Sequence, residues 1–161
     1  METSKPSYPL SLGRWFLFAA FLFTVGCNRS STEAPGTAPG KPRIALIMKS
    51  LANEFFLTME NGAKAHQKQN ATQYDLIANG IKDEQDIGKQ IELVEQMIAQ
   101  KVNAIVIAPA DSKALVPVCK KAQKPGLIVI NIDNQFDRQV LAASQVRFPF
   151  VGPDNRKGAN Q

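Results

Sequence analysis

Three apolar runs in this chain each end in residues able to bond a ligand. Ile44–Met48 leads into Lys49, Ser50, Leu51, Ala52, Asn53, Glu54, Phe55 and Phe56. Ala104–Ala108 leads into Pro109, Ala110, Asp111 and Ser112, and Leu127–Ile132 into Asp133 and Asn134. Asp and Asn accept from and donate to vicinal hydroxyls, and an aromatic face covers the apolar C–H face of a sugar ring. Lys49, Ser50, Asn53, Phe55, Phe56, Asp111, Asp133 and Asn134 are therefore the candidate binding residues, and their chemistry suits a carbohydrate. Two of them have plainer readings. A Phe-Phe pair opening an amphipathic helix serves a core, and an Asp after a strand caps a turn.

Other chemistries lack their residues. No Gly stands in the turn after Met48, so a dinucleotide loop of the G-x-G-x-x-G kind is absent, as are a phosphate-binding G-x-x-x-x-G-K-[ST] and a G-x-S-x-G elbow. The single histidine, His66, lies between Ala65 and Gln67 with no acid or nucleophile beside it, and reads as a solvated helix residue. Cys27 and Cys119 form no C-x-x-C pair and cannot make a zinc site with one histidine, although a disulfide between them stays open. No catalytic residue, cofactor or metal is expected.

The elements that must position the candidates alternate. Strands are expected at Ile44–Met48, Tyr74–Ala78, Ala104–Ala108 and Leu127–Ile132, with a fifth at Val146–Val151 interrupted by Pro149. Helical spacing runs over Glu54–Lys68, over Asp83–Gln100 (Ile87, Ile91, Val94, Met97 and Ile98 on one face) and over Ser112–Gln123. Such alternation predicts an α/β fold, a doubly wound parallel sheet covered on both faces, whose ligand sits beyond the carboxyl ends of the strands. The 161 residues are 44% hydrophobic and 20% charged, a globular balance for about one domain. The net charge of +5 is scattered, with no block of five like charges, so no nucleic-acid arm is present.

The first 26 residues read as an address. Lys5 and Arg14 precede the apolar stretch Trp15–Val25. Eleven helical residues span about 16 Å, half of a bilayer core, which fits the apolar region of an export signal. Thr24-Val25-Gly26-Cys27 resembles the lipobox of bacterial lipoproteins, although Thr24 stands where that motif has Leu, Val or Ile. The resemblance implies cleavage before Cys27, lipid on its sulfur, and a partner in the lipid bilayer. Residues 27–42, rich in Ser, Thr, Pro and Gly, would be a tether.

Taken in order, IALIMKSLANEFFLTMENGA, AIVIAPADSKAL, VINIDN and FVGPDNRKGA resemble the ribose-type periplasmic sugar-binding proteins. These are soluble receptors of ABC importers, whose lobes are shared with sugar-sensing repressors. The resemblance covers Arg43 to Ala159. It implies a two-lobe fold of which residues 43–152 are the N-terminal lobe, and residues 153–161 the start of a crossing to a second lobe that is missing. It implies a small-molecule sugar ligand, a membrane ABC permease as partner, no nucleic acid, and a place in the periplasm or cell envelope. Asn53, Phe55, Phe56 and Asp133 match the family's sugar-contacting positions. Lys49 stands where the ribose receptor has a hydroxylated residue, Glu54 replaces a Pro and Asn134 an Arg, so ribose itself is in doubt and an anionic or differently substituted sugar is open. Three other readings remain at this stage. They are an effector-sensing lobe of a regulator, an α/β enzyme on a similar sheet, and an anchored scaffold without ligand. A regulator would need a helix-turn-helix where the chain has an apolar run and a tether.

The export reading has a direct check. Mass spectrometry of the mature N-terminus should find an acylated Cys27, and Cys27→Ser should move the protein from the membrane to the soluble fraction. An intact Met1 on soluble protein overturns it.

Overall fold

The computed structural model describes residues 40–152, which carry five parallel strands and four helices in strict alternation. The strands are β1 (Arg43–Ser50), β2 (Asp75–Ile81), β3 (Ala104–Ile107), β4 (Ile128–Ile132) and β5 (Phe150–Val151). The helices are α1 (Glu54–Gln69), α2 (Ile87–Ala99), α3 (Val116–Gln123) and α4 (Arg138–Ser144). The sheet order is β2-β1-β3-β4-β5, all pairs parallel, so the α/β doubly wound fold is the one observed. The order reverses between β1 and β3, and a crevice opens at the carboxyl ends where chain directions part. The expected export signal, Cys27 and crossing at 153–161 lie outside the described residues, as does most of the tether.

β1 shows why a continuous apolar run is a central strand. Ala45 and Ile47 face one side with Ile105, Ile107 and Val129, against α2 and α3, while Leu46 and Met48 face the other with Phe56 of α1. Every side chain from Ala45 to Met48 is buried, so both faces of the pleat reject water. The two faces are not equally covered. Among the described residues α1 alone lies on its side of the sheet, over β1 and β2, and Ile128 and Val151 are exposed. Coverage on both faces, expected from the alternation, is fullest over β1 and β2 among the described residues, with Val106 of β3 and Ile132 of β4 partly buried at its margin.

Several bounds differ from the sequence expectation for local reasons. α2 begins at Ile87, not Asp83, because Asp86 caps it by accepting from the Lys89 N–H at 3.0 Å, and Asp83 closes the preceding turn on the Gln85 N–H. α3 begins at Val116, since Asp111 holds residues 112–115 in a turn and Pro117 sits in the first helical turn. β5 is two residues, Pro149 lacking the N–H a longer ladder would need. α4 has no expected counterpart. It is seven residues with none fully buried, only Val140 and Leu141 resting half-buried on the core, too short a pattern to read as a helix, and its clearest mark is the Asp137 cap.

Gly80 marks a close approach that shapes the end of β1. Pairing runs Met48↔Gly80 and then Ser50↔Ile81, so Lys49 is an extra residue in β1. Such an irregularity turns a side chain away from the regular pleat. A Cβ on Gly80 would lie 2.6 Å from Leu51 Cγ and 2.8 Å from the Lys49 carbonyl oxygen. Gly80→Ala should therefore cost about 1–3 kcal/mol in urea unfolding, because a backbone atom cannot step aside as a side chain does.

Candidate functional site

At the carboxyl ends of β1 and β4, Lys49 and Asp133 meet. The Lys49 ammonium is 3.1 Å from Asp133 Oδ2, with side chains 14% and 25% exposed, and it stands 5.3 Å from the centre of the Phe56 ring. A pair this sheltered is screened less than a surface pair, and the ring adds a face on which the cation rests. Asp133 adopts φ +59, a left-handed conformation that Asp tolerates better than most residues. That backbone turn lets a residue one step past β4 point back toward β1.

The aromatic pair divides its work as its helix position dictates. Phe56 is 5% exposed and packs with Leu46 and Met48. Phe55 is 58% exposed and meets Phe56 edge to face, centroids 5.1 Å apart at 81°. One ring is core and carries the cation; the other stands free beside the crevice. Helix α1 starts here because Asn53 caps it, its side-chain oxygen accepting the Phe55 N–H at 3.0 Å.

The remaining candidates are spent on architecture. Ser50 is buried and donates to the Lys82 carbonyl, closing the turn behind β1. Asp111 accepts the N–H groups of Lys113 at 2.8 Å and Ala114 at 2.7 Å. Those backbone bonds, first that of Ala114, hold its carboxyl below the ordinary carboxylate value. Asn134 donates to the Pro109 carbonyl at 3.4 Å, bridging the loops after β3 and β4. His66 pairs with the Tyr74 hydroxyl at 2.7 Å, away from the crevice. Cys119 is a buried thiol whose pKa burial pushes up to about 12, which makes it inert. No group of three His, Cys, Asp or Glu able to hold a metal exists among the described residues, and no helix there is long and apolar enough to cross a membrane.

Two residues of this region were not among the candidates. Gln90 is fully buried on α2 and Asn131 on β4, and both bond the backbone that forms the crevice. Each had a signal in the sequence. Gln90 lies on the apolar stripe Ile87–Ile91–Val94, and Asn131 interrupts the run Leu127–Ile132. A polar residue at a position that must be buried has a partner to find.

The family model described as a periplasmic binding protein domain matches residues 44–161. The D-ribose/D-allose-binding protein of Pseudomonas aeruginosa is 69% identical over 121 residues, covering 75% of this chain and 38% of that protein. The D-allose-binding periplasmic protein of Escherichia coli is 30% identical over 113 residues, 69% of this chain and 35% of that one. Among solved structures, an ABC transporter solute-binding protein of Burkholderia multivorans superposes with a TM-score of 0.73 at 70% identity, over 74% of this chain and 42% of its own. A periplasmic solute-binding protein of Actinobacillus succinogenes with bound D-allose superposes with a TM-score of 0.69 at 42% identity, over 73% and 41%. The chain thus spans less than half the length of the relatives it matches.

The turn that Asp111 closes yields a pH test. A carboxyl held below its ordinary value of 3.8 contributes stability at neutral pH and loses it as pH falls through the depressed native pKa. Asp111→Ala should cost about 1 kcal/mol at pH 7, and the deficit against wild type should shrink only in acid below 3.8. Asp111→Asn, which keeps the accepting oxygen, should recover most of it in denaturant titrations.

Proposed function

Since the chain belongs to the periplasmic binding protein domain family, we propose that it binds a neutral monosaccharide of the ribose or allose kind for an ABC importer. The observation that carries this reading is the Lys49–Asp133 pair at 3.1 Å, set beside the exposed ring of Phe55 at the strand ends. A cation alone would favour an anionic sugar. A cation matched by a carboxylate and seated on a ring leaves no net charge to attract one. It offers N–H donors and carboxylate acceptors side by side, which is what adjacent hydroxyls require. Phe55 supplies the apolar face for the ring carbons. This is binding chemistry, and the residues ask for no nucleophile or proton shuttle. The names of the relatives support the sugar class, since ribose, allose and apiose binding proteins all match at lower or higher identity.

The proposal extends to place and partners. A lipid on Cys27 and a spacer to residue 42 would hold the lobe at the envelope membrane, within reach of a permease that takes the sugar. The described residues form one wall of a crevice and leave Phe55 58% exposed. Well-formed sites bury ~70–90% of a ligand, so this wall by itself should bind in the millimolar range.

Nuclear magnetic resonance of the labelled chain can follow binding that weak. D-allose or D-ribose should shift the amide signals of Lys49, Phe55 and Asp133 saturably, while D-gluconate should not. Asp133→Ala should weaken the sugar by about 1.5–3 kcal/mol through loss of a charge-assisted bond. Gluconate binding as well as D-allose would sink the neutral reading, and no response to any aldose would sink the site.

A further inference from the structure

Two buried amides join the three strand ends that form the crevice. The Gln90 side chain donates to the Met48 carbonyl at 3.1 Å and to the Ala108 carbonyl at 2.9 Å, and accepts the Ala110 N–H at 2.8 Å. Met48 directly precedes Lys49, and Ala110 directly precedes Asp111. The Asn131 side chain donates to the Asn134 carbonyl at 2.8 Å and the Ile132 carbonyl at 3.2 Å, with the Ile107 carbonyl at 3.5 Å, and accepts the Phe136 N–H at 2.9 Å. Asp133 is thereby enclosed by bonds to the residues on either side of it.

We propose that Gln90 and Asn131 are the positioning residues of the sugar site, setting the Lys49–Asp133 separation without touching ligand. The Met48 carbonyl, at the rung just before the Lys49 irregularity, and the Ala108 carbonyl, just past β3, both lie where water is excluded. A buried unpaired carbonyl is costly. Gln90 satisfies both with one amide and so holds the two strand ends at a fixed spacing across the point where the sheet order reverses. Asn131 reaches β3 one carbonyl earlier and uses its other bonds to wrap the loop that carries Asp133 at φ +59. The pair that meets a sugar is held from below by groups on α2 and β4. An aliphatic residue at position 90 would suit the surrounding apolar core equally well, so the amide's use lies at the strand ends. This assignment rests on the sugar reading of the crevice for its consequence, and on the hydrogen bonds alone for its geometry.

The test separates those two supports. Gln90→Met keeps volume and removes all three bonds, while Val94→Ala, fully buried on the same helix, is a control that loosens packing only. Two readouts apply at temperatures where circular dichroism reports folded protein. The first is the nuclear Overhauser contact between the Lys49 ε-methylene and the Phe56 ring, which needs no sugar. The second is D-allose affinity from amide shifts. Gln90→Met should lose the contact and weaken D-allose tenfold or more, and Val94→Ala should keep both. Gln90→Met retaining the contact overturns the proposal, whatever D-allose does. Loss of the contact in Gln90→Met, together with a wild-type chain that ignores D-allose, supports the positioning role and removes the sugar reading instead. Should Gln90→Met not fold, Gln90→Glu decides. As a neutral acid it regains one donor and one acceptor, so its Lys49–Phe56 contact should return at pH 5 and fade at pH 8, with wild type unchanged between them. A contact equally strong at both pH values overturns the proposal.

Discussion

Where β1 leaves its regular pleat and β3 ends, the Met48 and Ala108 carbonyls lie buried under helix α2 rather than in water, and a buried carbonyl needs a donor. The Gln90 amide meets that constraint for β1 and β3. Much else depends on it. The carbonyl before Lys49 and the N–H before Asp111 are both fixed to the same side chain, so the loops that leave the sheet start from a common anchor. Without a buried donor there, either water would enter beneath the crevice or the strand ends would part, and each would move Lys49 away from Asp133.

Above that anchor, the site is built from departures from regular structure. Lys49 is an extra residue at the end of β1, Asp133 has a positive φ, and Asn53 ends the loop by capping α1. Each departure is held by something rigid beside it. Gly80 leaves room for the Lys49 carbonyl, Asn131 encloses Asp133, and α1 is seated by Phe56 in the core. Strained or irregular residues persist only where their surroundings over-determine them. The division of the adjacent phenylalanines follows the same logic, since neighbouring helix positions point about 100° apart and cannot both face the sheet.

The electrostatics of the crevice then follow from proximity. Lys49 and Asp133 are 84 residues apart in the chain and 3.1 Å apart in space. Read singly, Lys49 suggests an anionic ligand and Asp133 a hydroxyl acceptor. Read as a pair on an aromatic face, they make a neutral polar edge with donors and acceptors in register. The uneven cover of the sheet belongs to the same picture. Among the described residues the α1 face is best covered over β1 and β2, Val106 and Ile132 are partly buried at its margin, and Ile128 and Val151 on that face meet solvent.

The sequence by itself determined the fold class and the order of the elements. Those depend on local period and on residue type, and Ile44–Met48 or Ile87–Ile98 carry them within a few turns of chain. It also offered candidates for the rim, because strand ends are legible as the points where apolar runs stop. It did not separate rim from support. Ser50, Asp111 and Asn134 carry the same chemistry as Asp133, yet they are consumed by Lys82, by their own turn and by Pro109. Nor did it bring forward Gln90 and Asn131, although each stood as a polar residue in an apolar pattern. Which polar groups are free and which are already bonded depends on partners distant in the chain. Only the packed sheet, by placing β1, β3 and β4 side by side over α2, brings those partners within hydrogen-bonding distance.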